Sequence, residues 1–506
     1  MPHADLAITN ARLVTSAGTF RGSLTVTGER ITGVLAPGDT PKATRVIDAE
    51  GRYVFPGVID PHTHPGCRNP LEADLRTESQ AAAAGGITTY GIMVGSGRAT
   101  RTFKEFVTEE DTRPWSEAFP VLREMGEENS VVDFFHSPTI NTEAQAEEIR
   151  AVAHRFGLTS FKFYPNLKTP ATTNVVPKWK SRIAVPASFD DGLIWLGFEQ
   201  IGLLGPSGMA LVHNENTEVA TALMRRLVQA GRTDIAAWTD RCPPWLEAEH
   251  VHRYGLFALQ AGCRMYALHI STEDGLDACT EMKRKGCPLT VETCPQYLLM
   301  TTDSPPGLLL KVNPPIRDAR HNAALWRGVQ DGRIECLGTD HVVTNYREKM
   351  VRGDSGDREG DPITSVWETG SGFIGMDILL PLMLSEGVHK GRFGLERVVE
   401  LCCERPAKTF GLYPKKGSFM PGADADLVIL DMDREVTLTR DLLHGFGDFT
   451  LFEGWRIKGW PKVTVCRGTV VFEDGKVTGN PGHGRYLPRD PHSVRFPVEK
   501  SWDLPR

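Results

Sequence analysis

The chain has 506 residues, and its 57 Lys and Arg against 64 Asp and Glu give a formal net charge of −7. Hydrophobic residues at 40% and charged residues at 24% exclude a disordered or fibrous protein. The sequence has no basic stripe of the kind that binds nucleic acid phosphates, and no apolar run approaches the ~18 residues of a membrane span. Its first residues lack the apolar core of a signal peptide, so we expect a cytoplasmic protein without nucleic acid or membrane partners.

Short strand-like runs open and close the chain. Residues 1–55 contain LAITNARLVT and SLTVTG, and residues 415–480 contain ADADLVILDM and KVTVCRGTVVF. Two distant segments of the same character can form one small β-rich domain. We therefore predict a β-sandwich domain built from residues 1–55 and 415–480.

Between residues 56 and 414, apolar runs of strand length alternate with amphipathic runs of helix length. This order predicts parallel strands with crossover helices, and the number of units suits a (β/α)₈ barrel. Residues 165–195 and 343–366, which are rich in Pro, Gly and charge, are predicted to be loops over the site. Residues 481–506 are predicted to form a C-terminal tail, a candidate contact with a neighbouring subunit.

The sharpest local motif is VIDPHTHPG, residues 58–66. Side chains alternate along a strand, so His62 and His64 point the same way and can bind one metal ion; Asp60 shares their face and is a further ligand or orienting group. An isolated H-x-H motif is often accidental. This one closes an apolar strand, at the end where barrel active sites lie.

Four more polar residues end apolar runs: Lys162 in SFKFYP, His213 in MALVHNEN, His269 in MYALHIS and Asp340 in ECLGTDH. A single His in such a place is more often a core or capping residue than a ligand, and a single strand Lys usually lies at an edge. Each of these residues, like the H-x-H motif, stands at the predicted carboxyl end of a different strand. We therefore interpret them as one convergent site.

The set as a whole resembles the cyclic amidohydrolase branch of the amidohydrolase superfamily, with its hydantoinases, dihydropyrimidinases, allantoinases and dihydroorotases. The resemblance implies a (β/α)₈ barrel with a small β-sandwich made from both termini, as the strand-rich ends suggest, and a homo-oligomer, either a dimer or a tetramer. The motifs that carry it run along almost the whole chain: GRYVFPGVID, the H-x-H, AAAAGGITT, HNEN, HIST, VETCPQYLLM, KVNPPIRD, LGTDH and ADADLVILD.

The resemblance also implies a centre of two divalent metal ions. Zn²⁺ is the expected ion, although imidazole and carboxylate ligands also accept Mn²⁺ and Co²⁺. A lysine cation would repel metals, whereas a carbamate formed with CO₂ offers two anionic oxygens, and a buried lysine can become neutral enough to form one. The implied ligands are His62 and His64 on the first metal, Lys162 as a bridging N6-carboxylysine, His213 and His269 on the second metal, and Asp340 on the first.

A centre of this kind carries a known hydrolytic chemistry. Two metals ~3.5–4 Å apart lower the pKa of a shared water and polarise the scissile carbonyl, and the bridging hydroxide is expected to attack the ring amide. Asp340 is expected to take the proton and pass it to the leaving nitrogen. We therefore predict a hydrolase of carbon–nitrogen bonds in small cyclic amides or ureides, of the hydantoin or dihydropyrimidine type.

The substrate signals conflict. Dihydroorotases of this pattern usually follow H-x-H closely with an Arg, whereas Arg68 comes later here; ETCPQYL and ETGSGF look more like hydantoinases and dihydropyrimidinases, and KVNPPIRD like allantoinases and dihydroorotases. Allantoinase-like or dihydroorotase-like activity, hydrolysis of a non-cyclic amide or carbamate, and a non-catalytic scaffold remain as alternatives. The six intact ligand positions disfavour the scaffold.

Three residues are candidates for substrate contact. Hydantoinases usually place an oxyanion-binding Tyr five residues after the bridging Lys, but position 167 is Leu. Tyr164, on the same strand face as Lys162, is either a substitute for that Tyr or a packing residue. Thr293 and Asn313, within ETCPQYL and NPPIRD, are candidates for recognition of the substrate ring.

Overall fold

The computed structural model describes residues 3–39, 41–100, 112–165, 190–352 and 360–492. None of the helices in these ranges is both long and apolar enough to cross a membrane. The strands are β1 Ala4–Thr15, β2 Gly18–Thr27, β3 Arg30–Leu35, β4 Ala43–Asp48, β5 Tyr53–Pro56, β6 Val58–His64, β7 Ile87–Ile92, β8 Asp133–His136, β9 Ser160–Phe163, β10 Met209–Val212, β11 Arg264–Ala267, β12 Leu289–Thr293, β13 Cys336–Leu337, β14 His341–Val342, β15 Leu427–Thr437, β16 Arg456–Cys466, β17 Thr469–Glu473 and β18 Lys476–Val477. The helices are α1 Leu71–Ala84, α2 Trp115–Asn129, α3 Glu143–Phe156, α4 Asp191–Gly202, α5 Thr217–Gln229, α6 Ile235–Asp240, α7 Trp245–Ala261, α8 Glu273–Arg284, α9 Pro295–Leu299, α10 Ala319–Asp331, α11 Tyr346–Met350, α12 Leu379–Leu382, α13 Leu395–Val399 and α14 Arg405–Thr409.

The middle of the chain forms a ring of parallel strands. One sheet has the order β13-β12-β11-β10-β9, and the other has the order β14-β6-β7-β8. A parallel bridge between Thr139 and Lys162 joins the two sheets on one side, and on the other side β13 and β14 follow each other in the chain. Helices separate the eight successive strands from β6 to β13, and β14 follows β13 without a helix and completes the eighth unit, so this is the architecture of a (β/α)₈ barrel.

The barrel strands are buried on both faces, as parallel strands covered by crossover helices usually are. Every residue of β6, β7, β9, β10 and β12 is buried, and their apolar side chains supply much of the core. Polar residues in such strands are therefore exceptions that need a local partner. The predicted site residues His62, His64 and Lys162 are among these exceptions.

Both chain ends contribute to a single nine-stranded sheet, which we call the terminal sheet. Its order is β18-β17-β16-β15-β5-β1-β2-β3, with β4 paired to β1. The two ends meet where β15 runs antiparallel to β5, with Leu427 opposite Pro56 and Ile429 opposite Val54. Both termini therefore form one β-rich unit, as predicted, while its description as a β-sandwich and its bounds at residues 1–55 and 415–480 stay predictions.

The predicted loop 165–195 lies largely outside the described residues, which stop at 165 and resume at 190, and 353–359 of the loop 343–366 are also outside them. The described part of the tail packs on its own barrel. Tyr486 bridges to Phe134 of β8, and the buried Arg489 donates to the oxygens of Gly157, Ser160 and His136. Contact of the tail with another subunit remains a prediction.

A buried ion cluster fastens the terminal sheet to the barrel. The Nζ of Lys416 lies 2.6 Å from Asp133 at the start of β8, 2.6 Å from Asp426 next to β15, and 3.0 Å from Asp424. Arg467, which follows β16, places its Nε 2.9 Å from the other oxygen of Asp133. All of these side chains are almost fully buried, so Asp133 and Asp426 depend on these cations for their charge balance.

We predict that Lys416→Met destabilises the protein by about 3–5 kcal/mol, because it leaves buried carboxylates without their cation. The matched control is Lys415→Met: Lys415 is 48% exposed and its Nζ lies 3.9 Å from Asp424, so its loss should change stability by less than ~1 kcal/mol. Urea unfolding of both variants measures the difference. Equal midpoints for the two variants would contradict the role of the cluster.

Candidate metal centre

The barrel brings all six predicted ligands to the carboxyl ends of its strands. The shared property is burial: each of them is at most 7% exposed. Because parallel strands end on the same face of a barrel, residues far apart in the chain meet there. They are His62 and His64 at the end of β6, Lys162 in β9, His213 after β10, His269 after β11, and Asp340 between β13 and β14.

Three of these residues form a compact cluster. The Nε2 atoms of His62 and His64 lie 3.1 Å apart. The Oδ1 of Asp340 lies 3.0 Å from Nε2 of His64 and 3.2 Å from Nε2 of His62. Two imidazole nitrogens and a carboxylate oxygen within 4.8 Å of one another are a suitable donor set for a divalent ion.

The other two histidines form a second pair. Nδ1 of His213 lies 2.9 Å from Nε2 of His269. The ring centroids of His62 and His269 are 5.3 Å apart, which places this pair directly beside the first cluster. The geometry therefore has two adjacent sets of nitrogen donors.

A single carboxylate, Glu292 of β12, orients one ligand from each set. Its Oε1 lies 2.7 Å from Nδ1 of His62 and accepts the backbone N–H of His269 at 3.0 Å. Its Oε2 accepts the hydroxyl of Tyr266 at 2.9 Å. Since Nδ1 of His62 carries the proton of this hydrogen bond, Nε2 keeps its lone pair for a metal.

His64 and His213 have outer partners of the same kind. Nδ1 of His64 lies 3.3 Å from the carbonyl oxygen of Met93, so Nε2 again keeps its lone pair for a metal. Nε2 of His213 lies 3.1 Å from Glu215, which leaves Nδ1 for the pair with His269. These tautomers follow from the hydrogen bonds, and they direct one lone pair of both rings into the centre.

Lys162 acts on members of both sets: besides burial, its charge lowers the pKa of His62, His213 and His269. Its side chain is fully buried, and among the described residues its Nζ has no hydrogen-bond partner. Burial lowers the pKa of Lys162 to about 7, although Asp340 and Glu292 oppose the shift. A buried amine without a partner, surrounded by ligand-type side chains, fits a lysine that is modified and bound to metal.

The electrostatics also fit bound cations. Burial lowers the pKa of His62 and of His269 well below the usual value, so both rings are neutral ligands. Burial opposes ionisation of Asp340, but His62 and His64 lower its pKa overall. Burial likewise opposes protonation of His64, but hydrogen bonds to Asp340 and Cys67 raise its pKa to about 9, so this corner favours positive charge.

Backbone conformation and Asp60 fix the positions of the ligands. His269 and Asp340 have left-handed backbones, with φ of 41° and 53°, which is uncommon outside glycine and concentrated at functional sites. Asp60 is not directed at the cluster. Its carboxylate accepts the backbone N–H groups of His62 and Thr339, at 3.2 and 3.1 Å, so it orients the strand ends.

The candidates for substrate contact have different surroundings. Tyr164 is half-buried, its ring centroid lies 4.5 Å from Nζ of Lys162, and its hydroxyl lies 3.5 Å from Nδ1 of His64. The hydroxyl of Thr293 donates a hydrogen bond to the carbonyl of Ile270, so this hydroxyl is already used inside the protein. Asn313 accepts a hydrogen bond from Arg241 through its Oδ1, at 3.1 Å.

Sequence reasoning missed three residues of the site: Glu292, Glu215 and Arg241. The first two lie inside motifs that it had singled out, VETCPQYL and HNEN. A carboxylate inside an apolar strand, such as Glu292 in LTVET, is costly to bury without a partner, and that signal could have identified it. Arg241 lies in no such motif, and its sequence neighbourhood gives no comparable signal.

We predict that Glu292→Gln weakens metal retention by about 10- to 100-fold, because an amide cannot accept hydrogen bonds from all three donors that the carboxylate serves. Metal content measured by mass spectrometry after dialysis against a chelator tests this. Glu335→Gln is the matched control, since Glu335 precedes β13, at the opposite end of the strands, and pairs with Lys283. Unchanged retention in Glu292→Gln, or equal loss in the control, would contradict the assignment.

Comparison with known proteins identifies the family. The model of the amidohydrolase family matches residues 260–471. The L-hydantoinase of Paenarthrobacter aurescens is 32% identical over 494 residues, which cover 96% of this chain and 98% of that protein. The D-hydantoinase of Geobacillus stearothermophilus is 30% identical over 495 residues, covering 95% and 96%.

Solved structures agree with the sequence comparison. The L-hydantoinase (dihydropyrimidinase) of Arthrobacter aurescens matches with a TM-score of 0.81 and 31% identity, over 96% of this chain and 100% of that one. The dihydropyrimidinase of Brevibacillus agri NCHU1002 matches with a TM-score of 0.82 and 25% identity, over 96% and 99%. The predicted fold class is thereby confirmed, and so is the resemblance: the chain belongs to the amidohydrolase family, in the branch that contains hydantoinases and dihydropyrimidinases.

Proposed function

We propose that the protein opens the ring of a hydantoin-type or dihydropyrimidine-type substrate by hydrolysis. As a member of this branch it is a metal-dependent hydrolase of carbon–nitrogen bonds in cyclic amides. The observation that carries the proposal is the convergence of His62, His64, His213, His269, Asp340 and the unpartnered amine of Lys162 on one buried point. This constellation also argues against a non-catalytic scaffold.

Two divalent ions, for which we propose Zn²⁺, would be held by the two sets of donors. His62, His64 and Asp340 would hold the first, His213 and His269 would hold the second, and carboxylated Lys162 would bridge them. When bound, such ions lower the pKa of a water and polarise a carbonyl. The ligand assignment is supported by the lone pairs that Glu292, Met93 and Glu215 direct inward.

Carboxylation of Lys162 is supported by its surroundings. With a pKa near 7, a substantial fraction of the amine is neutral, and a neutral amine can attack CO₂. Carboxylation converts an amine that has no hydrogen-bond partner among the described residues into an anionic group that metal ions would bind. It also supplies the two hard anionic oxygens that suit a bridging ligand.

Asp340 is the residue that we propose to move the proton. Its position between His62 and His64 keeps its pKa low, so the carboxylate is ionised and can accept a proton from the attacking water. The same group, once protonated, can donate to the ring nitrogen as the carbon–nitrogen bond breaks. One residue thereby serves as general base and then general acid.

Tyr164 and Asn313 are proposed to bind the substrate ring. The hydroxyl of Tyr164 lies 3.5 Å from Nδ1 of His64, and its ring packs against Lys162, so the hydroxyl can donate a hydrogen bond to the carbonyl oxygen as negative charge develops there. Asn313 lies between α9 and α10, in the connection that follows the carboxyl end of β12, and it accepts a hydrogen bond from Arg241. For Thr293, only its backbone remains a candidate contact, because its hydroxyl already donates to the carbonyl of Ile270.

A homo-oligomer in the cytoplasm, either a dimer or a tetramer, is also part of the proposal. Leu203 after α4 and Leu256 on α7 are 63% and 49% exposed, and α4 and α7 pack on each other, so contact with a second copy of the chain there would cover apolar side chains. All ten cysteines are unpaired, and nine of them are buried, which suits a reducing compartment.

The test of the function is a ring-opening assay of the metal-loaded protein on hydantoin, dihydrouracil, allantoin and dihydroorotate. We expect turnover of hydantoin or dihydrouracil, with allantoin and dihydroorotate as weaker substrates. Asp340→Asn, assayed in parallel, should lower kcat by about 10²- to 10⁴-fold, because the proton carrier is lost. Turnover of none of the four would sink the substrate assignment, and undiminished hydrolysis by Asp340→Asn with its metals bound would refute the role of Asp340.

Carboxylation can be tested apart from activity. Protein from which metal and CO₂ have been removed is reloaded with divalent metal in the presence of ¹³C-labelled bicarbonate, and its ¹³C spectrum is recorded. We expect one carbamate resonance in the wild type and none in Lys162→Met. A metal-loaded wild-type protein without this resonance would show that Lys162 is not carboxylated.

A further inference from the structure

Arg241 lies at the end of the short helix α6, outside every motif that the sequence analysis singled out. Its side chain is buried, and its guanidinium carbon lies 3.6 Å from the ring centroid of Trp238. Trp238 is fixed in turn, since its indole N–H donates to the carbonyl of Val312 at 2.8 Å. The guanidinium therefore has one defined position over this ring.

One terminal nitrogen of Arg241 serves two partners. Its Nη2 donates to Oε1 of Glu215 at 2.7 Å and to Oδ1 of Asn313 at 3.1 Å. The other oxygen of Glu215 is the one that lies 3.1 Å from Nε2 of His213. A continuous path of three hydrogen bonds thus runs from a proposed metal ligand to a proposed substrate-binding residue.

The hydrogen bond to Asn313 also fixes the direction of its amide. Because Arg241 has only donors, the atom that faces it must be the carbonyl oxygen of the amide. The NH₂ group then points away from Arg241, and among the described residues no hydrogen bond takes it up. Asn313 is thereby presented as a donor, suited to a carbonyl oxygen of a ring rather than to a ring N–H.

We propose that Arg241 is a positioning residue that couples the metal ligand His213, through Glu215, to the orientation of Asn313. The proposal rests on the proposed function, since the roles of His213 and Asn313 are part of it. It assigns to Arg241 no contact with substrate or metal. Its effect is that metal retention and substrate affinity depend on one guanidinium group.

An arginine suits this position and a lysine does not. The planar guanidinium stacks on Trp238 and directs two N–H bonds of one nitrogen to two fixed acceptors, whereas an ammonium is a compact charge without that geometry. Arg241→Lys should therefore keep the charge beside Glu215 and lose the joint alignment. This makes the lysine variant an informative companion to a neutral one.

The experiment measures metal retention and kinetics separately, with Arg241→Met, Arg241→Lys, Glu215→Gln and Asn313→Ala. Retention is the metal content after dialysis against a chelator, and kcat and KM for hydantoin or dihydrouracil are measured with metal in saturating excess. We expect Glu215→Gln to lower retention and Asn313→Ala to raise KM. Arg241→Met should do both, with retention about 10- to 100-fold weaker and KM about 3- to 10-fold higher, while kcat falls less than KM rises.

A matched control separates this coupling from the loss of any part-buried arginine. Arg397 on α13 donates to the carbonyls of Val329 and Ile334, both of which precede β13 at the end of the strands opposite the site. Arg397→Met should lower the melting temperature and leave metal retention and KM unchanged. Arg241→Met combined with Asn313→Ala should raise KM no further than Asn313→Ala alone, since Arg241 acts on KM through the amide that Asn313→Ala already removes.

The outcomes decide the proposal. A change of melting temperature in Arg241→Met with wild-type retention and KM would reduce Arg241 to a structural role and overturn it. Should Arg241→Met fail to fold, wild-type retention and KM in Arg241→Lys would overturn it equally. If the wild type turns over none of the cyclic amides, the proposed function fails, and the retention measurement still decides the link between Arg241 and His213.

Discussion

The structure depends on the burial of ionisable groups at one end of a parallel barrel. Parallel strands surrounded by helices exclude water from both faces, so a polar side chain at a strand end must find its partners inside the protein. His62, His64 and His269 are each at most 6% exposed, and Lys162 is fully buried without a hydrogen-bond partner among the described residues. Metal ions and a carbamate would satisfy these groups. Without them, the burial of unpaired polar groups would lower the stability of the fold.

The groups behind the ligands share this constraint. Glu292 and Glu215 are buried carboxylates, and each uses its two oxygens for different partners, one of them a histidine of the centre. Carboxylates of this kind determine which nitrogen of an imidazole keeps its lone pair. The histidines of the centre are therefore held by carboxylates behind them. The positive charge of Arg241 balances that of Glu215, just as the ligands would balance the metals.

Local regularities of the sequence predicted most of the fold and the side chains that meet at the strand ends, whereas their roles as metal ligands came from the family resemblance and stay a prediction. His62 and His64 follow from the two-residue period of a strand, and the strand-rich chain ends gave the terminal sheet. Two of the residues that escaped prediction act through long-range contacts: Glu292 meets His62 across 230 positions, and Arg241 meets Asn313 across 72. A linear pattern carries no record of such pairs. The resemblance points to Thr293 as a substrate contact, and it does not say that the side chain of the neighbouring Glu292 turns inward to His62.

The pairing of β5 with β15 has a consequence for the order of folding. These strands lie more than 370 positions apart, with Val54 opposite Ile429, and they form the seam between the two halves of the terminal sheet. During synthesis, β1 to β5 leave the ribosome long before β15 and β16 exist, so β5 has an open edge while the barrel forms. The edge of β5 stays unpaired until β15 has been synthesised. During that interval the open edge can pair with other chains, so the nascent protein is then prone to aggregation.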